Sequence, residues 1–156
     1  RMTHSTPKCN SNTFNLTSSY AAKLGYFKDD YSQEFLKRQK KMFPIINRGT
    51  WARVYAYRNM IIKFLQAHPE QECNILSLGA GYDSTFFWLH DSIQKEEIKD
   101  VSIEKLVYIE IDYNEVVVKK LHALKNSEIL SKISKLNHMD ITHDNKVNAP
   151  QYKLIA

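Results

Sequence analysis

Glycine is scarce in this sequence. At a usage of about 7% a chain of this length would carry roughly 11 glycines. It holds four: Gly25, Gly49, Gly79 and Gly81. Cysteine is scarcer still. Cys9 and Cys73 stand far apart with no Cys-x-x-Cys pair, which excludes a disulfide scaffold and a cysteine-built zinc site. That usage points to a reducing, intracellular home, taken as the cytoplasm. No apolar run approaches the ~18 residues of a membrane span. No apolar segment follows the N-terminus as a signal peptide requires. A membrane partner is therefore not expected.

What is present suits a folded domain. Hydrophobic residues make up 43% and charged residues 25% of 156 residues, enough to bury a core in one domain or in part of a larger one. The net charge is +5, from 22 Lys and Arg against 17 Asp and Glu. Lysine dominates the basic set and is scattered along the chain. A nucleic-acid footprint comes as a stripe or cluster with arginine well represented, so nucleic acid is not expected as a partner.

Residues 1–13 are polar and read as a disordered lead-in. Helical spacing is expected over 14–24, closed by Gly25, and over 30–42, ended by Pro44. A third helix is expected over 51–67 with Thr50 as its N-cap. A buried-strand pattern at 74–78 runs into Gly79-Ala80-Gly81, and Asp83 and Ser84 are placed to cap a helix over 85–89. A polar connection over 90–105 leads to a second strand at 106–111, which stops at Asp112. A long amphipathic helix over 115–136, a loop over 137–150 and a third strand from Tyr152 complete the order. Alternating strand and helix is the pattern of an α/β fold with a parallel sheet, Rossmann-like, preceded by a helical extension. The domain reading is a lid or extension over 14–46 and the first part of a core over 47–156. Three strands are too few to finish such a sheet, so the chain is expected to be the first part of a longer enzyme.

Two neighbouring glycines in so glycine-poor a chain call for a physical reason. A strand-to-helix turn carrying Gly79-x-Gly81 lets a ligand approach the backbone where a Cβ would collide. An acid at the tip of the next strand, Asp112, can accept hydrogen bonds from both hydroxyls of a ribose. A dinucleotide fingerprint wants a third glycine three residues after the second, and that place is Ser84. It wants its acid about 20 residues further on, whereas Asp112 lies 31 residues after Gly81. S-adenosylmethionine has an adenosine and no phosphate, and it tolerates this turn. A plain tight turn beside a surface acid is the competing reading. A P-loop is excluded, because no Gly-Lys-Ser/Thr follows. Arg53, expected in the first turn of its helix, could clamp a carboxylate where unpaired N–H groups already favour an anion. It could equally face solvent.

Gly25-Tyr26 with Asp29 and Asp30, Asn47-Arg48-Gly49-Thr50-Trp51-Ala52-Arg53, Leu78-Gly79-Ala80-Gly81-Tyr82-Asp83 and Glu110-Ile111-Asp112-Tyr113 resemble, in that order, the leucine carboxyl methyltransferase family. The resemblance runs from about residue 17 to the end. It implies an enzyme that uses S-adenosylmethionine to esterify the C-terminal leucine carboxylate of the type-2A protein phosphatase catalytic subunit. Carried over residue by residue, Arg53 would hold the cofactor carboxylate, Gly79 and Gly81 would lie against the cofactor, and Asp112 would bind its ribose. The acceptor carboxylate is already ionised at pH 7 and needs no general base. It needs alignment and a partly dry pocket, which Tyr26, Trp51 and Tyr82 could line, although core packing also accounts for them. Arg48 could attract the leucine carboxylate, or tie the N-terminal helices to the core.

Two departures from the family pattern stand out. Ser18 replaces a lysine usual seven residues before the first glycine. The family's later cofactor and substrate contacts follow the third strand, so this stretch alone is expected to lack a complete active site. A tRNA-modifying, wybutosine-type relative and a non-catalytic binding module are the alternatives. His138, Asp140 and His143 resemble a metal cluster only in composition, and no metal is expected. The basic helix over 119–135 carries apolar partners at core spacing and reads as a packed helix with one solvated face.

Overall fold

The computed structural model describes residues 12–36, 41–134 and 146–156, with side chains described from residue 16. The expectations for 1–11, for positions 37–40 of the helix expected over 30–42 and for the His138–Asp140–His143 loop lie outside these residues.

The chain opens with α1 (Asn12–Lys23) and a single turn, α2 (Ser32–Phe35), followed by α3 (Pro44–Gln66). Four strands follow: β1 (Cys73–Leu78), β2 (Leu106–Ile111), β3 (Val147–Asn148) and β4 (Tyr152–Ile155). Between them lie α4 (Thr85–Gln94), α5 (Asn114–Asn126) and α6 (Glu128–Ser134). The sheet order is β1-β2-β4-β3. β1, β2 and β4 run parallel, with Cys73 beside Leu106 and Tyr108 beside Tyr152, while β3 is antiparallel to β4. Helical crossovers between successive parallel strands make this an α/β sheet.

Side-chain alternation along the strands sorts the two faces. Cys73, Leu106, Tyr108, Tyr152 and Leu154 are buried, against Ile61 and Leu65 of α3, Phe86 to Leu89 of α4, and Val117, Leu121 and Leu124 of α5. The opposite face carries Leu76 and Leu78, 55% and 72% exposed, beside half-buried Ile109 and Ile111. Among the described residues the helices thus cover one face, and β1 forms a sheet edge.

Several element boundaries differ from those expected. Pro44 opens α3 rather than closing the helix before it, because proline at the first helical position gives up only an N–H that would be unpaired anyway. α3 therefore begins seven residues before Trp51, Thr50 is buried within it, and Arg53 lies in its third turn. The unpaired N–H groups of a helix start do not reach Arg53. α3 also runs across the expected boundary at 46/47, so extension and core share one helix. Of the helix expected over 30–42, the described residues form the turn Ser32–Phe35, after which Leu36 is extended. Tyr31 and Phe35 dock on Phe87, and that packing sets where the chain turns.

α4 continues to Gln94 because His90 and Ser92 are buried despite their polarity, and it closes on Glu96, at φ +58°, without a glycine signal. The long helix over 115–136 breaks at Ser127. Its hydroxyl accepts from Leu130 N at 3.3 Å and donates to Glu34 at 2.7 Å, making it the cap of α6. Short β3, expected as loop, returns on β4 through a turn in which Ala149 N–H donates to Tyr152 O at 3.0 Å.

Gly25, at φ +79°, ends α1, with its N–H and that of Tyr26 donating back to Ala22 and Ala21. Gly49 is different, since it lies inside α3 and a Cβ there would meet nothing within 4 Å. Gly49→Ala should therefore stabilise the fold by roughly 0.5–1 kcal/mol through restored helix propensity. A thermal melt that drops instead would show that this helix surface is occupied.

Candidate functional site

A cavity of about 420 Å³ opens at the C-terminal end of β1. Its walls come from three stretches of sequence: Ser18 with Asp29 and Ser32, then Arg53, Val54, Tyr57 and Arg58 on α3, then Leu76 to Ala80 and Tyr82 to Thr85. Ligands of open α/β sheets bind outside the carboxyl ends of the strands, and this cavity occupies that position.

The glycine turn forms its floor and is tied down at each end. Gly79 and Gly81 have φ of +67° and +56°, a region that L side chains rarely adopt. Gly79 and Ala80 N–H groups donate to Ile111 O at 2.8 and 3.3 Å. Gly81 N–H donates to Asp112 Oδ2 at 2.6 Å, and Tyr113 N–H donates to Asp112 Oδ1 at 2.7 Å. A carboxylate has about four lone-pair directions, so Asp112 keeps acceptor capacity for a ligand. A Cβ built on Gly79 would meet nothing within 4 Å; the turn leaves open space beside its backbone, as a cradle for a ligand requires.

A buried cluster closes one side. Arg58 donates to Asp29 Oδ2 and to Lys28 O, both at 2.8 Å. Ser84 Oγ donates to the same Asp29 oxygen at 2.7 Å. The other oxygen of Asp29 accepts from Tyr31 and Ser32 N–H at 3.1 and 3.0 Å. The Arg58 guanidinium lies 4.0 Å from the Trp88 ring centroid. Burial pulls the Arg58 pKa down, and the Asp29 charge opposes this. One carboxylate thus joins the N-terminal extension, α3 and the start of α4. Asp83 Oδ1 accepts from Thr85 N–H and hydroxyl, capping α4, while Ser84, also expected as a cap, spends its hydroxyl on Asp29.

Tyr57 lines the cavity, and its hydroxyl lies 3.3 Å from that of Tyr108. Burial pushes both phenols above their ordinary range. Tyr82 stacks on Phe35, its phenol raised by burial and by the nearby Asp112 carboxylate.

Arg53 and Gly79 line the cavity; Gly81 and Asp112 are not among its lining residues, and Asp112 reaches the turn through the Gly81 N–H. Tyr82 is also in the wall, whereas Tyr26, Arg48 and Trp51 are not. Trp51 is exposed and stacks on Tyr55. Asp29, Tyr57, Arg58, Glu110 and Lys120 carried no functional reading in sequence. Asp29 and Glu110 stand in the stretches that carry the family resemblance, and the other three have no signal of their own. No described helix is long and apolar enough to cross a membrane. Among the described residues no three His, Cys, Asp or Glu side chains could hold a metal ion.

The family profile for leucine carboxyl methyltransferase matches residues 11–149. This chain belongs to the leucine carboxyl methyltransferase family. Over 133 residues it is 36% identical to "Leucine carboxyl methyltransferase 1 homolog" of Arabidopsis thaliana, covering 85% of this chain and 37% of that protein. To "Leucine carboxyl methyltransferase 1" of Bos taurus it is 38% identical over 114 residues, 72% of this chain and 31% of the other. It is also 31% identical over 130 residues to "tRNA wybutosine-synthesizing protein 4" of Saccharomyces cerevisiae, covering 79% of this chain and 18% of that one. The chain thus spans about a third of the length of the leucine carboxyl methyltransferases it matches. The family match covers every element from α1 to β3, and the α/β fold is that of a methyltransferase family.

Proposed function

We propose that this chain forms the cofactor-binding part of an S-adenosylmethionine-dependent carboxyl methyltransferase. Its acceptor would be the C-terminal leucine carboxylate of the type-2A protein phosphatase catalytic subunit. The observation that carries the proposal is the glycine turn, which Asp112 braces and whose Gly79, Ala80 and Tyr82 line the cavity. When bound, S-adenosylmethionine supplies a methyl group on a sulfonium, open to attack by an ionised carboxylate.

The chain's own residues would bind and orient. Asp112 would accept from the ribose hydroxyls with its remaining lone pairs, and Gly79 and Gly81 would lie against the ligand. Arg53 would hold the amino-acid carboxylate across the cavity, with Ser18 at the position where the family pattern has a lysine. Arg48 and Tyr26, outside the cavity wall, would serve the acceptor instead. No base is required, because the acceptor carboxylate is ionised at neutral pH; the apolar wall at Val54, Leu76 and Leu78 would help exclude water from it. Residues 14–46 would act as the lid or extension and 47–156 as the first part of the core. The two widely spaced cysteines support a cytoplasmic setting. The phosphatase acceptor is preferred over tRNA because the leucine carboxyl methyltransferases match at 36% and 38% identity against 31% for the wybutosine protein.

Calorimetric titration with S-adenosylhomocysteine tests the cofactor assignment. Saturable binding is expected, weakened about 10- to 100-fold in Arg53→Ala by loss of a charge-assisted hydrogen bond. Wild-type affinity in that variant would remove Arg53 from the site. A fluorescent peptide ending in a free leucine carboxylate should then bind the liganded protein, and its C-terminal amide should not. Equal binding of the two would overturn the acceptor assignment.

A further inference from the structure

Lys120 is a fully buried lysine on α5, and the cofactor chemistry above makes no use of it. Its ammonium donates to Glu110 Oε2 of β2 at 2.5 Å and to the backbone carbonyl of Asp83 at 2.7 Å. Tyr152 of β4 donates its hydroxyl to the same Glu110 oxygen at 2.8 Å. The Phe35 ring lies 5.2 Å from the ammonium. Glu110 is also fully buried, and its second oxygen has no hydrogen-bond partner among the described residues. Burial pushes the Glu110 pKa up, and the Lys120 charge opposes this.

Such a pair is a poor way to gain stability. Taking two charges out of water costs several kcal/mol per ion, and well-packed apolar residues in their place are often neutral or better. The unpartnered Glu110 oxygen adds to the cost. What the pair supplies is position. Three elements, β2, β4 and α5, converge to aim one ammonium at the carbonyl that ends the glycine turn. The start of the turn hangs on Ile111 O and its middle on Asp112; Asp83 O is its last anchor before α4 begins.

We propose that Lys120, held by Glu110 and Tyr152, is a positioning residue. It fixes the Gly79–Asp83 turn in the form that receives the adenosyl ligand. This rests on the cofactor assignment made above, and the experiment keeps the two apart.

The variant is Lys120→Met combined with Glu110→Gln, which leaves no buried charge unpaired and keeps an acceptor for Tyr152. In unliganded protein, amide exchange at Gly79 and Gly81 should rise about 10-fold or more, while exchange at Leu89 and Tyr108 stays within about 2-fold of wild type. Affinity for S-adenosylhomocysteine should fall about 10-fold or more in the same variant, as expected for a binding surface that must be ordered on binding. Unchanged exchange in the turn overturns the proposal. Loosened exchange with wild-type affinity also overturns it, since the turn would then not set binding. If wild-type protein fails to bind the ligand, the cofactor assignment falls, and the exchange measurement still decides whether Lys120 orders the turn. Should the double variant not fold, Tyr152→Phe removes one of the bonds that hold Glu110. It should raise turn exchange about 3-fold, and no change would overturn the proposal.

Discussion

Arg58→Ala is expected to lower the unfolding free energy by about 3–5 kcal/mol, the usual cost of removing one partner from a buried ion pair. Asp29 is 6% exposed and would lose its guanidinium partner with no water to replace it. The carbonyl of Lys28 would lose its donor, and Trp88 the cation stacked on its ring. Against that, Asp29 keeps three donors, Tyr31 N, Ser32 N and Ser84 Oγ, which places the effect nearer the lower bound. Urea unfolding followed by tryptophan fluorescence measures it directly, since Trp88 reports on the site. A loss below about 1 kcal/mol, the scale of a solvent-exposed pair, would mean that packing of α1 and α2 holds the extension without this cluster.

For Asp112→Ala, the expected result is a loss of S-adenosylhomocysteine affinity of about 100-fold or more. Two hydrogen bonds to a charged acceptor are each worth about 1.5–3 kcal/mol, and every 1.4 kcal/mol is tenfold in affinity. The variant also deprives Gly81 N–H of its acceptor and so loosens the turn. Asp112→Asn separates these effects. It retains an acceptor for Gly81 and loses the charge, so its affinity should fall between wild type and alanine. Calorimetry within 3-fold of wild type for Asp112→Ala would remove the ribose role and leave Asp112 as a brace for the backbone.

How far the sequence reveals the site depends on how local each signal is. Gly79, Gly81 and Asp112 are readable because each stands just past the end of an apolar strand run and the chain has few other glycines. β2 has the expected bounds because its apolar run ends at a charged residue. The sequence puts Arg53 in the first turn of its helix and the structure in the third, since Thr50 and Pro44 each carry two meanings. Thr50 can cap a helix or pack inside one, and Pro44 can stop a helix or start one. The break at Ser127 escaped because apolar spacing continues across it, and the hydroxyl that makes it a cap is drawn away by Glu34, 93 residues distant in sequence. Asp29–Arg58–Ser84 and Lys120–Glu110–Tyr152 join polar side chains whose pairing no apolar run or turn residue announces. A lysine at a core-facing position of an amphipathic helix looks like its solvated neighbours until the fold brings its partner against it.

The edge strand β1 has a consequence for how this polypeptide behaves in solution. Along its outer side the backbone groups that would bond to a next strand have none among the described residues, and Leu76 and Leu78 flank that row on an open face. Natural sheets guard such edges with charge, proline or a covering element, because an exposed apolar edge is a template for any extended segment. Cys73-Asn74-Ile75-Leu76-Ser77-Leu78 contains neither charge nor proline. Left uncovered, its hazard is edge-to-edge association, a second-order process in protein that dilution would slow.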